Sequence, residues 1–145
     1  MTVTISIGEL SKLSLTHGPC HLHSKGSLHH FEVAFSNKDL QTTALVDTEL
    51  EPFLSFREEL GRLNRDLKGQ AVLRTWEGDL ELLAQIDKQG HVLWTGKVGF
   101  GFSGGGYGAQ AQFWIGDDQT SLPSVLKQLD ALIEDARAES VESPS

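Results

Sequence analysis

Two stretches of this chain carry an apolar stripe at helical spacing, and each follows a run of segments in which apolar and polar residues alternate. Helices place every third and fourth residue on one face, strands every second residue, so a segment declares itself by its period. In the first stripe Phe53, Phe56, Leu60, Leu63 and Leu67 follow Pro52. Proline suits the first helical turn, where its missing N–H has no partner to lose. Gly69 suits the C-terminal stop, which predicts a helix over Glu51–Lys68. The second stripe is Leu122, Val125, Leu126, Leu129, Leu132, Ile133 and Ala136. Thr120 or Ser121 can cap it and Pro123 falls in its first turn, which predicts a helix over Ser121–Arg137.

The period-two segments fill the rest. Val3, Ile5 and Ile7 alternate with Thr4 and Ser6, and Leu13 with Leu15 marks a second short strand. Thr16 to Ser27, broken by Gly18, Pro19 and Gly26, reads as a loop. His29, Phe31, Val33 and Phe35 then share one strand face, with His30, Glu32 and Ala34 on the other, and Gln41 to Glu49 returns after a Ser-Asn-Lys-Asp turn. Beyond the first helix come Gln70–Trp76, Asp79–Asp87, His91–Phe100 and Ala109–Ile115, joined by glycine-containing turns. Short hairpin connections imply antiparallel pairing. The predicted fold is α+β, a mostly antiparallel sheet of about eight strands with two amphipathic helices, in the order ββββαββββα. Residues 1–138 are expected to form one domain, and the Ser/Glu/Pro-rich 139–145 a disordered tail. A chain of 145 residues can build its own core without staples, since it buries roughly 68–70% of its unfolded surface.

Charge excludes whole classes of function. With 12 Lys+Arg against 20 Asp+Glu the net charge is −8, which opposes nucleic acid and anionic membranes and suits a basic protein partner or simple solubility. Cys20 is the single cysteine, so no intrachain disulfide can form and a reducing compartment is expected. Met1 to Leu10 lacks the basic segment of a secretory leader, and no stretch reaches the about 18 apolar residues of a membrane span. The expected location is the cytoplasm.

Candidate chemistry is sparse. Gly99-Phe100-Gly101-Phe102-Ser103-Gly104 matches a G-x-G-x-x-G string, but the dinucleotide fingerprint needs a helix after the glycines and here a strand follows. The plain reading is a hairpin tip. His17, Cys20, His21 and His23 have metal-like spacing, yet zinc would require one short loop to wrap the ion. The plain reading is a polar loop with a free thiol. His29 and His30 fall on opposite strand faces and cannot share an ion. No G-x-S-x-G or H-E-x-x-H string occurs, and no catalytic residue and no cofactor is assigned. Glu77, Asp79, Glu81 and Asp87 form an acidic stripe on an outward strand face. Such a stripe is either a solvated sheet face or a steering surface for a basic protein.

The run Asp118-Gln119-Thr120-Ser121-Leu122-Pro123 with Leu126 to Leu132 resembles the end of WapI-type bacterial immunity proteins and related small proteins of unassigned function. Phe53-Leu54 to Ala71 is similar to that family's helix and following strand, and Glu81-Leu82 to Val92 to its central hairpin. The resemblance implies a non-catalytic binding protein that neutralises a secreted toxin, often a nuclease domain, by direct contact. For such a role the acidic stripe of Glu77, Asp79, Glu81 and Asp87, with Tyr107 as an aromatic anchor on the glycine-rich tip, supplies the candidate partner-binding residues. The competing readings are a small-ligand or zinc-binding protein, and a subunit of a homo-oligomer with Trp76, Trp94 and Trp114 in its core or interface.

Overall fold

A computed structural model of the chain describes residues 4–8, 11–23, 26–75, 78–100 and 109–142, with the side chains of 19–27, 100, 109 and 139–142 excepted. The strands are β1 (Thr4–Ile7), β2 (Lys12–His23), β3 (Gly26–Ser36), β4 (Gln41–Thr48), β5 (Gln70–Arg74), β6 (Leu80–Ile86), β7 (His91–Phe100) and β8 (Ala109–Asp118). Helix α1 (Glu51–Asp66) separates the two sets of four, and α2 (Leu122–Glu142) closes the chain. The predicted order ββββαββββα is the observed one. The strands form two four-stranded antiparallel sheets, each in simple sequence order.

Alternation explains which face each strand buries. Register stacks Ile5, Leu15 and Val33 into one inward row of the first sheet, and Ile7, Leu13 and Phe35 into the next. In the second sheet Leu73, Leu82, Trp94 and Ile115 are buried. Both inner faces and both helices share one hydrophobic cluster. Phe35 of β3 stacks on Phe113 of β8 at 5.0 Å between ring centroids, Phe31 stacks on Phe53 of α1 at 4.4 Å, and Phe56 meets Trp94 edge-on. Such aromatic pairs add to the stabilisation from area burial alone.

The structure corrects the sequence reading at one major point. Thr16 to Ser27 is a hairpin and not a loop, because β2 runs through to His23 and β3 begins at Gly26. Gly18 and Pro19 sit in a bulge. His17 pairs with Phe31 and Cys20 with His29, so three steps on β2 answer two on β3. A Cβ on Gly18 would lie 3.3 Å from the His30 carbonyl oxygen, so the glycine permits the close approach.

Helix ends differ by a few residues. Helix α1 stops at Asp66 because Leu67 itself turns left-handed (φ 54°) and returns its N–H to the Leu63 carbonyl at 2.9 Å. Helix α2 continues to Glu142, beyond the predicted Arg137. The capping side chain ahead of it is Asp118, which accepts the Thr120 N–H at 3.0 Å and starts the 3-10 turn Gln119–Ser121, in place of Thr120 or Ser121. Among the described residues no helix is long and apolar enough to cross a membrane.

Candidate partner-binding face

The outer faces of the two sheets differ in kind. That of the first sheet is mostly polar, with Ser14, Thr16, Glu32 and Thr43 across it and His30 bonded to Asp47, and its one large exposed apolar side chain among the described residues is the aliphatic Leu45, 62% exposed. That of the second sheet is built from the residues opposite its buried set, and register sorts them into rows. One row is Val72, Leu83, Thr95 and Trp114; the row beside it is Arg74, Glu81, Lys97 and Gln112. Leu93 and Gly116 face each other in the next row. Trp114 is 71% exposed and Leu93 39%. Glu81, Leu83, Thr95, Lys97, Gln112 and Trp114 line a shallow groove across this face. A large aromatic left in solvent within an apolar row is the composition of a binding hot spot more than of an idle surface.

Beneath the groove, Gly96 and Phe113 are directly opposed on the inner side. A Cβ at Gly96 would come within 2.6 Å of the Phe113 ring and 3.0 Å of the Glu81 carbonyl oxygen. The missing side chain lets Phe113 lie against the β7 backbone and reach Phe35.

The acidic stripe does not stand alone. Glu81 does face outward, but Arg74 of β5 donates to its Oε2 at 3.0 Å and Lys97 lies opposite on β7. Asp87 lies just past β6 at the hairpin turn, where its Oδ1 accepts the backbone N–H groups of Gln89 at 2.8 Å and His91 at 2.9 Å. The His91 N–H bond, and then that of Gln89, hold its carboxyl below the usual range. Asp79 lies at the start of the hairpin, where its carbonyl accepts the Gly99 N–H at 3.0 Å. Glu77 and Tyr107 lie outside the described residues, as does the glycine-rich segment 101–108. The element that follows the G-x-G-x-x-G string is β8, a strand.

Of the histidine group, His17 is 1% exposed and turned inward, away from any surface site. Its Nδ1 bonds to Asp135 Oδ2 of α2 at 2.9 Å and its Nε2 to His29 Nδ1 at 3.0 Å. His29 is equally buried, and burial, then the neighbouring His17 and His30, lower its pKa to about 4. At neutral pH His29 is therefore uncharged. The chain Asp135–His17–His29 ties α2 to β2 and β3. His17 continues the inward alternation of Leu13 and Leu15, but Gly18 and Pro19 make Thr16 to Ser27 read as a loop, which hides the pairing in the sequence. The side chains of Cys20, His21 and His23 lie outside the described residues, and among the described residues no three His, Cys, Asp or Glu side chains are grouped to hold a metal ion.

The sequence model of the WapI-like immunity protein family matches residues 28–136. The chain belongs to that family. The matched span runs from β3 into α2 and contains the whole outer face of the second sheet, Trp114 included. Strands β1 and β2, with His17 and the bulge, lie outside the WapI-like match. No curated protein matches the chain.

Proposed function

We propose that this chain neutralises a cognate toxin domain in the cytoplasm by stoichiometric contact, without catalysis and without a cofactor. Membership of an immunity family supports the role. The observation that carries the contact reading is Trp114, 71% exposed in the apolar row of the second sheet's outer face. Around it the charged side chains are partly balanced, Glu81 by Arg74, so the centre of the face can be desolvated at small electrostatic cost. Asp79, Asp87, Asp117 and Asp118 supply acidity at the ends of the strands, and Glu77 and Tyr107 are enlisted as further contact residues. A toxin domain that acts on nucleic acid carries a basic surface, and a partner of net charge −8 is drawn to it and can cover it.

The test is co-expression with the toxin domain encoded beside this chain. The wild-type chain restores growth, and Trp114→Ala restores little or none at equal protein level. Growth arrest that the wild-type chain does not relieve refutes the immunity reading.

A further inference from the structure

A sheet that ends in an unpaired strand presents a row of N–H and C=O groups ready to pair with another chain. Two of the four sheet edges here are closed from within. On β1, the Ser6 N–H donates to Gln128 Oε1 of α2 at 2.8 Å. On β5, the Val72 N–H donates to Glu59 Oε1 of α1 at 2.8 Å. Both strands are also short, at four and five residues. The opposite edges, β4 and β8, are eight and ten residues long.

The direction of the β8 backbone follows from the register. In an antiparallel ladder successive residues turn their N–H and C=O to opposite sides. The His91 carbonyl accepts from Asp87 and the Gly99 N–H donates to Asp79, so odd-numbered residues of β7 face β6. Even-numbered residues of β7 face β8, and Trp94 pairs with Ile115. The odd-numbered residues of β8 complete that ladder. Gln110, Gln112, Trp114 and Gly116 therefore turn their backbone groups outward. The same parity argument on β5 sends Val72 outward, where its N–H does meet Glu59. Among the described residues no side chain reaches the outward N–H groups of Gln110, Gln112, Trp114 or Gly116, whereas the Asp118 N–H is taken by Asp117 Oδ1 at 2.8 Å. Strand β8 carries no Lys, Arg or Pro to discourage pairing.

We infer that β8 is the dock for an extended strand of the toxin domain, which adds to the second sheet as a fifth strand. This rests on the immunity reading and names how its partner is held. Main-chain bonds to Gln110, Gln112, Trp114 and Gly116 supply affinity, and Trp114 on the adjoining face supplies the anchor. An antiparallel fifth strand begins beside Asp117 and Asp118 at the far end of β8. The occupant is accordingly a segment with Lys or Arg at its N-terminal end. The β4 edge lacks these features: its Asp47 is engaged by His30 and it carries no aromatic side chain.

The experiment compares Gln112→Pro with Gln112→Ala against the toxin domain encoded beside the chain. Proline removes the outward N–H and leaves the β7 ladder intact. Gln112→Pro is expected to weaken binding at least tenfold, and Gln112→Ala less than threefold. In parallel, amide exchange of the wild-type chain is expected to slow at least tenfold at Gln110, Gln112, Trp114 and Gly116 when the toxin domain is added. A folded Gln112→Pro that binds like wild type overturns the inference and leaves the immunity reading standing. So does exchange that stays unchanged at all four outward amides, a result independent of whether the proline variant folds. A wild-type chain that dimerises through β8, with Gln112→Pro monomeric, assigns the edge to a second copy and also overturns it. A wild-type chain that binds no toxin domain refutes both readings.

Discussion

Glu59 of α1 accepts the outward N–H of Val72 at 2.8 Å and so seals the β5 edge of the second sheet. Gln128 of α2 does the same for Ser6 on β1. The helices thus fill the core and also decide which sheet edges remain open. Both closed edges lie against helices, and the β8 edge, which no described side chain closes at Gln110, Gln112, Trp114 or Gly116, borders the face that carries Trp114.

Removing that seal should cost stability. Glu59→Ala leaves the Val72 N–H without its carboxylate acceptor, and a hydrogen bond to a charged group contributes about 1.5–3 kcal/mol. The expected loss is at the low end because the bond is only part-buried. Urea denaturation should show it, with Glu59→Gln recovering most of the difference.

Gly96 admits no side chain. An added methyl would meet Phe113 at 2.6 Å and the Glu81 carbonyl oxygen at 3.0 Å. Displacing the Phe113 ring also disturbs its stacking on Phe35. Gly96→Ala should destabilise by about 1–3 kcal/mol, the range for an overpacked core. A chemical melt unchanged by this substitution would contradict the packing described.

Stability should fall on mild acidification. His29 is held neutral by burial and by the neighbouring charges of His17 and His30, with its pKa lowered to about 4, while Asp135 bonds to His17 and Asp47 to His30. The unfolded chain takes up a proton at this residue as pH falls through about 6.5, and the folded chain does so only near 4. Acid therefore favours the unfolded state across that window. The contribution present above pH 6.5 is on the order of 3 kcal/mol, and it is lost progressively as pH falls toward 4. Urea midpoints at pH 7.5 and 4.5 should differ for the wild-type chain and differ less for His29→Gln.

The frame of the fold was legible in the sequence wherever one period held. Phe53 to Leu63 and Leu122 to Ala136 declare helices, and Phe31 to Phe35 and Leu80 to Ala84 declare strands, because each buries one face. The failures have physical causes. Gly18 and Pro19 look like strand breakers, yet a bulge absorbs them, and His17 is carried into the core beside a residue twelve positions away. In the sequence the acidic stripe is visible along a single strand only. Its neutralising partner, Arg74, lies on the adjacent strand, and only register brings it to Glu81. Trp114 gave no signal of exposure because Phe113, Trp114 and Ile115 are all large and apolar. The one clue was parity, since Gln110 and Gln112 share its face.

Trp114→Ala tests the binding account most directly. A side chain 71% exposed contributes little to folding, so the urea midpoint should move by less than about 0.5 kcal/mol in stability. As the anchor of an interface its truncation should cost at least about 2 kcal/mol of binding, roughly a thirtyfold rise in Kd for the toxin domain by calorimetry. A folded Trp114→Ala whose Kd stays within threefold of the wild-type value would contradict the assignment of this face as the contact surface.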